Sequence, residues 1–229
     1  MLCNQRISLD PRLSRIAEMV GSCDCCADIG SDHGRLGAYL LQSGQCRRVV
    51  LTDISGASLS KARKLIALMD LEGRAGFCVG DGALAIDCPV DAAVIAGMGG
   101  ETIAHIVRHS EGRLDGVQLI LQPNVALRQL RLELNACGWR IVDEDLVRDG
   151  RRIYPILAAE QGVQTLSELQ AEVGPVLLER RPPLLADYTA FRLRVARKAL
   201  SGAQQGGDAQ SIDALQREIA IWEEVEACL

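Results

Sequence analysis

The stretch that most constrains this chain is Ala27-Asp28-Ile29-Gly30-Ser31-Asp32-His33-Gly34-Arg35-Leu36, in which two carboxylates and two glycines stand between a β-prone run and a run that can be helical. Such a strand-to-helix turn is where doubly wound α/β sheets hold nucleotides. Gly30 lets the backbone bend sharply, Gly34 permits close approach, and the first N–H groups of the new helix attract polar or anionic groups. A dinucleotide fingerprint, Gly-x-Gly-x-x-Gly, seats a pyrophosphate at this place. Here the middle glycine is Asp32, and two carboxylates oppose that charge. NAD is therefore disfavoured.

A ligand with a cationic or zwitterionic amino-acid end tolerates the carboxylates, and S-adenosylmethionine carries both a sulfonium and an ammonium. The first reading is thus a class I methyltransferase. Arg47 to Asp53 reads as a second strand ending in an acid, and Asp53, followed by Ile54, stands roughly 20 residues beyond the turn, as expected of a carboxylate that grips a ribose. Capping of the next helix, Ser58 to Met69, is the structural alternative for Asp53. A short third strand, Gly76 to Val79, ends in Gly80-Asp81-Gly82, whose carboxylate suits an adenine amino group. The fourth, Ala92 to Ala96, ends in Gly97-Met98-Gly99-Gly100, a flat floor for a ligand or base beside the switch point. Glu101 to His109 then reads as a helix.

Ahead of the turn, Ser8 to Val20 reads as an amphipathic helix with Asp10 as N-cap and Pro11 in the first helical position. Behind it, Val117 to Leu121 is a buried strand closed by Gln122-Pro123-Asn124, and a helix from Ala126 to Cys137 stops at Gly138. Trp139 to Val147 and Arg151 to Ala158 flank Asp149-Gly150, a hairpin signal. The pattern predicts a seven-stranded α/β sheet with its last strand antiparallel, an ending common in class I methyltransferases by fold-level analogy. Beyond Glu160 no strand pattern recurs. Leu184, Tyr188, Phe191 and Val195 repeat at helical spacing, Ser201 to Gln210 reads as a linker, and Ile212, Leu215, Ile219 and Trp222 repeat again. The expected organisation is a methyltransferase domain over 1–160 and an antiparallel, coiled-coil-like helical hairpin over 161–229.

At 229 residues, with a formal net charge of -5, the chain can bury a sizeable core and does not advertise nucleic acid by charge alone. Nine cysteines would suit a disulfide scaffold in a small secreted chain, but Met1 to Arg6 lacks an apolar signal core and no run is long enough to span a bilayer. A reduced, cytoplasmic, monomeric protein is expected. Cys23-Asp24-Cys25-Cys26 is too tight for the usual zinc pairs and reads as small apolar residues feeding the first strand, so no metal is expected.

The set Asp28-Ile29-Gly30-Ser31-Asp32-His33, Gly80-Asp81-Gly82, Ile95-Ala96-Gly97-Met98-Gly99-Gly100 and Leu121-Gln122-Pro123-Asn124 resembles the bacterial tRNA (adenine(22)-N(1))-methyltransferase family, with Arg12-Leu13, Gly138-Trp139, Glu144 and Tyr154 also in place. The resemblance implies methyl transfer from S-adenosylmethionine to N1 of an adenine in the tRNA D-arm. By carry-over, Asp28, Gly30, Ser31, Asp32 and His33 border the methionine part, Asp53 holds the ribose and Asp81 with Gly82 the adenine, while Gly34, Ile54, Gly80, Ala96 and Gly97 complete the expected cofactor-binding set. The Asn/Asp-Pro-Pro-aromatic motif of amino-methylating relatives is missing after Ala96. Asp32 and the carbonyls of Gly97, Met98 and Gly99 are the acceptors expected near the target base, and His33 either orients that base or simply bonds its neighbours.

Residues 160–229 hold seven Lys/Arg against eleven Asp/Glu. Any tRNA contact there needs a local face, for which Arg180, Arg181, Arg192, Arg194, Arg197 and Lys198 are candidates. Arg12, Arg15 and Arg35, with Arg128, Arg131, Arg151 and Arg152, are candidates for a basic rim. Two other readings stay open: a methyltransferase of another RNA or a small molecule, and a non-catalytic RNA-binding protein of the same fold.

Overall fold

A computed structural model describes residues 6–229. The stretch read for a leader therefore lies, apart from Arg6, outside the described residues. Two compact units divide the chain, one ending at Thr165 and one spanning Leu166–Leu229.

The first unit runs α1 (Pro11–Val20), β1 (Cys23–Ile29), α2 (Arg35–Ser43), β2 (Cys46–Asp53), α3 (Gly56–Leu68), β3 (Ala75–Val79), β4 (Ala92–Met98), α4 (Gly100–Arg108), β5 (Gln118–Pro123), α5 (Leu127–Ala136), β6 (Trp139–Asp149) and β7 (Arg152–Gln161). Its seven-stranded sheet has the order β3-β2-β1-β4-β5-β7-β6. Only β7 opposes its neighbours; the other pairings are parallel. The chain starts at β1 and steps to either side of it, so the switch point falls between β1 and β4, where the two carboxyl ends leave a crevice.

Each face of the sheet carries its own core. On one face Ile29, Ile95, Leu119 and Leu121 meet Ile103, Val107, Leu130 and Leu134 of α4 and α5. On the other Cys26, Leu51, Val94 and Ile120 meet Ile16, Leu40, Leu41 and Ile66 of α1, α2 and α3. Helix α1 starts at Pro11 rather than Ser8 because Asp10 caps it, its carboxylate accepting from the Leu13 N–H at 2.7 Å. Helix α3 is capped by Ser55 and not by Asp53, which leaves the Asp53 carboxylate for other work.

One rim candidate proves structural. Arg131 is fully buried and donates from Nε to Glu144 Oε1 at 2.8 Å, joining α5 to β6. A guanidinium sealed in this way neutralises a carboxylate that burial would otherwise make costly. It is unavailable to a phosphate.

The second unit consists of α6 (Glu168–Val173), α7 (Pro175–Arg180), α8 (Leu185–Gly206) and α9 (Ala209–Cys228). The stretch expected as a linker, Ser201 to Gln210, is helical on both sides of a break at Gly207-Asp208. Its alanines and glutamines favour helix, and only Gly207 adopts the left-handed conformation, with φ 71°. The apolar stripe of α8 also differs from the expected one: Leu185, Tyr188, Leu193 and Ala196 are buried, whereas Phe191 and Val195 are exposed. Glu172 is buried and accepts from Trp222 Nε1 at 2.9 Å and Arg192 Nη2 at 2.8 Å, and Arg192 also reaches Glu218 at 2.7 Å. Arg192, a tRNA-face candidate, is therefore committed inside this unit. No helix among the described residues is long and apolar enough to cross a membrane.

Candidate active site

At the switch point the carboxyl ends of β1, β2, β3 and β4 enclose a cleft of about 640 Å³, within the 300–1,000 Å³ typical of ligand sites. Asp28, Gly30, Ser31, Asp32, His33, Asp53, Ile54, Gly80, Asp81, Gly82, Ala96, Gly97 and Met98 all line it, together with Arg12 and Arg35. Two expected members stand behind the wall. Gly34, at φ 68°, is needed for packing, since a Cβ there would lie 2.7 Å from Ala62 Cβ and 2.9 Å from Leu51 Cδ2. Gly99 instead serves as the N-cap of α4.

The first turn is built by hydrogen bonds to β2. Gly30 and Ser31 donate their N–H groups to the Thr52 carbonyl at 2.8 and 3.0 Å. Asp32, with φ 46°, donates its N–H to Asp53 Oδ2 at 3.2 Å, while Asp53 Oδ1 accepts from the Ser55 N–H at 2.8 Å. The Asp53 carboxylate is thus held by two backbone donors at the end of β2. His33 Nδ1 pairs with Asp32 Oδ2 at 2.5 Å, both side chains being more than half exposed.

Asp28 behaves differently. It is buried, and its Oδ2 has no hydrogen-bond partner; the same holds for the Ser31 hydroxyl. Burial pushes the Asp28 carboxyl up to about 7, the Gly37 backbone N–H partly opposing this and the nearby Asp53 charge adding to it. Both residues line the cleft, and each carries a buried polar atom with no partner in the protein, an arrangement suited to a ligand that brings hydrogen-bonding groups. The far end is shaped by glycine: at Gly82, φ 54°, a Cβ would lie 2.9 Å from Ile106 Cγ1, and at Gly80 one would lie 2.9 Å from Ala85 Cβ.

The floor after β4 is secured by a network that sequence reasoning missed. Gly97, at φ 77°, sits in a bulge between Ala96 and Met98. Gln122, fully buried at the end of β5, accepts on Oε1 from the Gly97 N–H at 3.2 Å and from Arg12 Nη1 at 2.6 Å. Asn124 donates from Nδ2 to the Gly97 carbonyl at 2.7 Å and from its N–H to the Met98 carbonyl at 2.8 Å, and the Gly99 carbonyl accepts from the Ile103 N–H at 3.0 Å. All three floor carbonyls expected as acceptors for the base are therefore engaged within the protein. Arg12 also stacks over Tyr154, 5.6 Å from the ring centroid. The available signal was the polar Gln-Pro-Asn placed where an apolar strand ends.

Among the other arginine candidates, Arg15 is paired with Asp145 at 2.7 Å and Glu18 at 3.1 Å, and Arg35 donates to the Ser8 carbonyl at 2.5 Å. In the second unit Arg197 pairs with Glu223 at 2.8 Å, Arg181 donates to the Cys228 carbonyl at 3.0 Å, and Arg180 closes α7.

Comparison with known proteins places this geometry. Residues 9–157 match the family described as "Methyltransferase domain". A tRNA (adenine(22)-N(1))-methyltransferase of Bacillus subtilis is 28% identical over 222 residues, 93% of each chain. A candidate tRNA methyltransferase of Mycoplasma genitalium is 36% identical over 158 residues, 66% of this chain and 69% of that one. A Streptococcus pneumoniae structure, described as a candidate tRNA (m1A22) methyltransferase in complex with S-adenosyl-L-methionine, superposes with a TM-score of 0.86 at 27% identity, covering 96% of this chain and 100% of that one.

Proposed function

From the premise that the chain belongs to the methyltransferase-domain family, and within it to the tRNA (adenine(22)-N(1))-methyltransferases, we propose that it methylates N1 of adenine 22 in the tRNA D-arm. The observation that carries the cofactor half is the cleft's chemistry: Asp28, Asp53 and Asp81 arrive from three successive strands, and Asp28 and Ser31, each with a buried polar atom that has no partner in the protein, line the same space. An acidic, acceptor-rich wall fits the ammonium and hydroxyl donors of S-adenosylmethionine and rejects a pyrophosphate. When bound, that group supplies a methyl on a sulfonium. Asp28 and Ser31 accept from its amino-acid end, Asp53 from its ribose hydroxyls, and Asp81 from its adenine amino group.

Adenine N1 carries an in-plane lone pair, so no residue need remove a proton before it attacks. The task of the chain is alignment and exclusion of water, a contribution of about 7–11 kcal/mol at best. Gly97 to Gly99 form the floor on which the target base lies, and Gln122 and Asn124 fix that floor's height. Asp32 and the floor carbonyls, each of which keeps a second lone pair beside its bond within the protein, are the acceptors that face the positive charge that builds on the base. His33, paired with Asp32, holds that carboxylate in place.

A D-arm adenine must leave its stack before N1 is reachable, at a cost of a few kcal/mol. Arg35, an exposed residue of the cleft lining, and Arg12, through the part of its guanidinium not bonded to Gln122, offset this through phosphate contacts, and the second unit adds contacts through Arg180, Arg181 and Arg197. On the same reading the enzyme is a monomer that meets its tRNA in the cytoplasm. The test is transfer of labelled methyl to unmodified tRNA with nucleoside analysis; 1-methyladenosine is expected, and a labelled product of any other kind overturns the proposal.

A further inference from the structure

We propose that Cys23 and Cys46 are a redox pair which a peroxide converts to a disulfide joining the starts of β1 and β2. The two are direct partners in the parallel ladder, and their Sγ atoms lie 3.0 Å apart. Adjacent strands run about 4.8 Å apart, inside the roughly 4.4–6.8 Å Cα separation that a disulfide spans. Bond formation thus needs about 1 Å of sulfur approach and no strand movement.

The two thiols differ in access and in readiness. Cys23 is half-buried, whereas Cys46 is 0% exposed. Hydrogen bonds from the Cys23 and Cys26 thiols hold Cys46 well below the usual thiol range, and the thiolate is the reactive form. Peroxide therefore meets Cys23 first. Its hydrogen bond to Cys46 and its burial hold the Cys23 thiol protonated, so as Cys23 Sγ attacks one peroxide oxygen its proton passes to the Cys46 thiolate beside it. The O–O bond breaks, and the departing hydroxide takes that proton from Cys46 and leaves as water, giving a sulfenic acid at Cys23 and Cys46 again as thiolate. The Cys46 thiolate then attacks that sulfur; the S–S bond forms, the S–O bond breaks, and the oxygen leaves with a proton as a second water. Two thiols lose two electrons and the peroxide gains them.

The pair sits at the amino ends of its strands, and the cleft at their carboxyl ends; neither cysteine lines the cleft. The bridge is consequently separate from methyl transfer and does not rest on the function proposed above.

The test is exposure of the folded full-length chain to equimolar hydrogen peroxide, alkylation, and non-reducing peptide mapping. It is run in the Cys228→Ser background, because Cys228 is exposed. The expected result is a Cys23–Cys46 linked peptide with a mass loss of about 2 Da, reversed by dithiothreitol. In Cys46→Ser the resolving thiol is gone, and with three equivalents of peroxide, which supply the two that the step consumes, Cys23 should instead advance to the sulfinic acid. Recovery of both cysteines as alkylated thiols, or a link from Cys25 to its neighbour Cys88 in place of this one, would overturn the assignment.

Discussion

Replacing Asp28 by Asn should stabilise the ligand-free protein while weakening cofactor binding. The Asp28 carboxyl stands at about 7 in the folded chain against a reference of 3.8, so folding disfavours its charged form. The sign follows from that order: the penalty is absent below about pH 4, grows as pH rises, and is complete above about pH 7. Three units at about 1.4 kcal/mol each make roughly 4 kcal/mol at pH 8, falling to about 2 kcal/mol at pH 5. Asn keeps the shape and the acceptor for the Gly37 N–H but carries no charge. With roughly 2–4 °C per kcal/mol for a protein of this size, Tm should rise by roughly 10 °C at pH 8 and by about half as much at pH 5. Thermal melts of wild type and Asp28→Asn across that range, each without ligand, provide the comparison. In parallel, titration calorimetry should find S-adenosylhomocysteine bound at least about tenfold more weakly by the variant, since a charge-assisted hydrogen bond is lost. A variant no more stable than wild type at pH 8, or a gain independent of pH, would refute the burial argument.

Gln122→Leu removes the acceptor shared by the Gly97 N–H and Arg12; single-turnover methyl transfer should slow by about a hundredfold while S-adenosylhomocysteine affinity changes by less than about threefold. Arg131→Met strands Glu144 in the interior and should cost about 3–5 kcal/mol in urea unfolding, with Arg131→Met/Glu144→Leu recovering much of it. Gly82→Val puts a side chain into Ile106 at a left-handed position, and calorimetry should show cofactor affinity falling at least about tenfold for a backbone strain of roughly 1–3 kcal/mol.

Much of this was legible because local chemistry and global fold agree in the first unit. The glycines and acids between β1 and α2, the acid ending β2, and the Asp149-Gly150 turn each announce themselves within a few residues, and the resulting elements can pack in few ways. The floor network was not legible, because Gln122 and Gly97 are 25 residues apart and meet only when β5 lies beside β4. Arg131 and Arg192 read as surface cations; what buries them is a carboxylate on another element, Glu144 or Glu172, that no local pattern reveals. In α8 two helical series offset by a residue or two are both apolar, and packing against α9 selects the one through Leu185 and Tyr188, leaving Phe191 and Val195 outside. Glycine and glutamine suggested a linker at Ser201 to Gln210, yet one left-handed glycine is enough for the turn between two long helices.

The most direct test uses two transcripts of one unmodified tRNA that differ only at position 22, adenine or guanine, incubated with labelled S-adenosylmethionine and the purified chain. Label is expected as 1-methyladenosine in the first transcript alone, and the cleft geometry then stands as that of the tRNA enzyme. Equal label in both transcripts, or none in either while S-adenosylhomocysteine binds, would contradict the assignment of adenine 22 as the target.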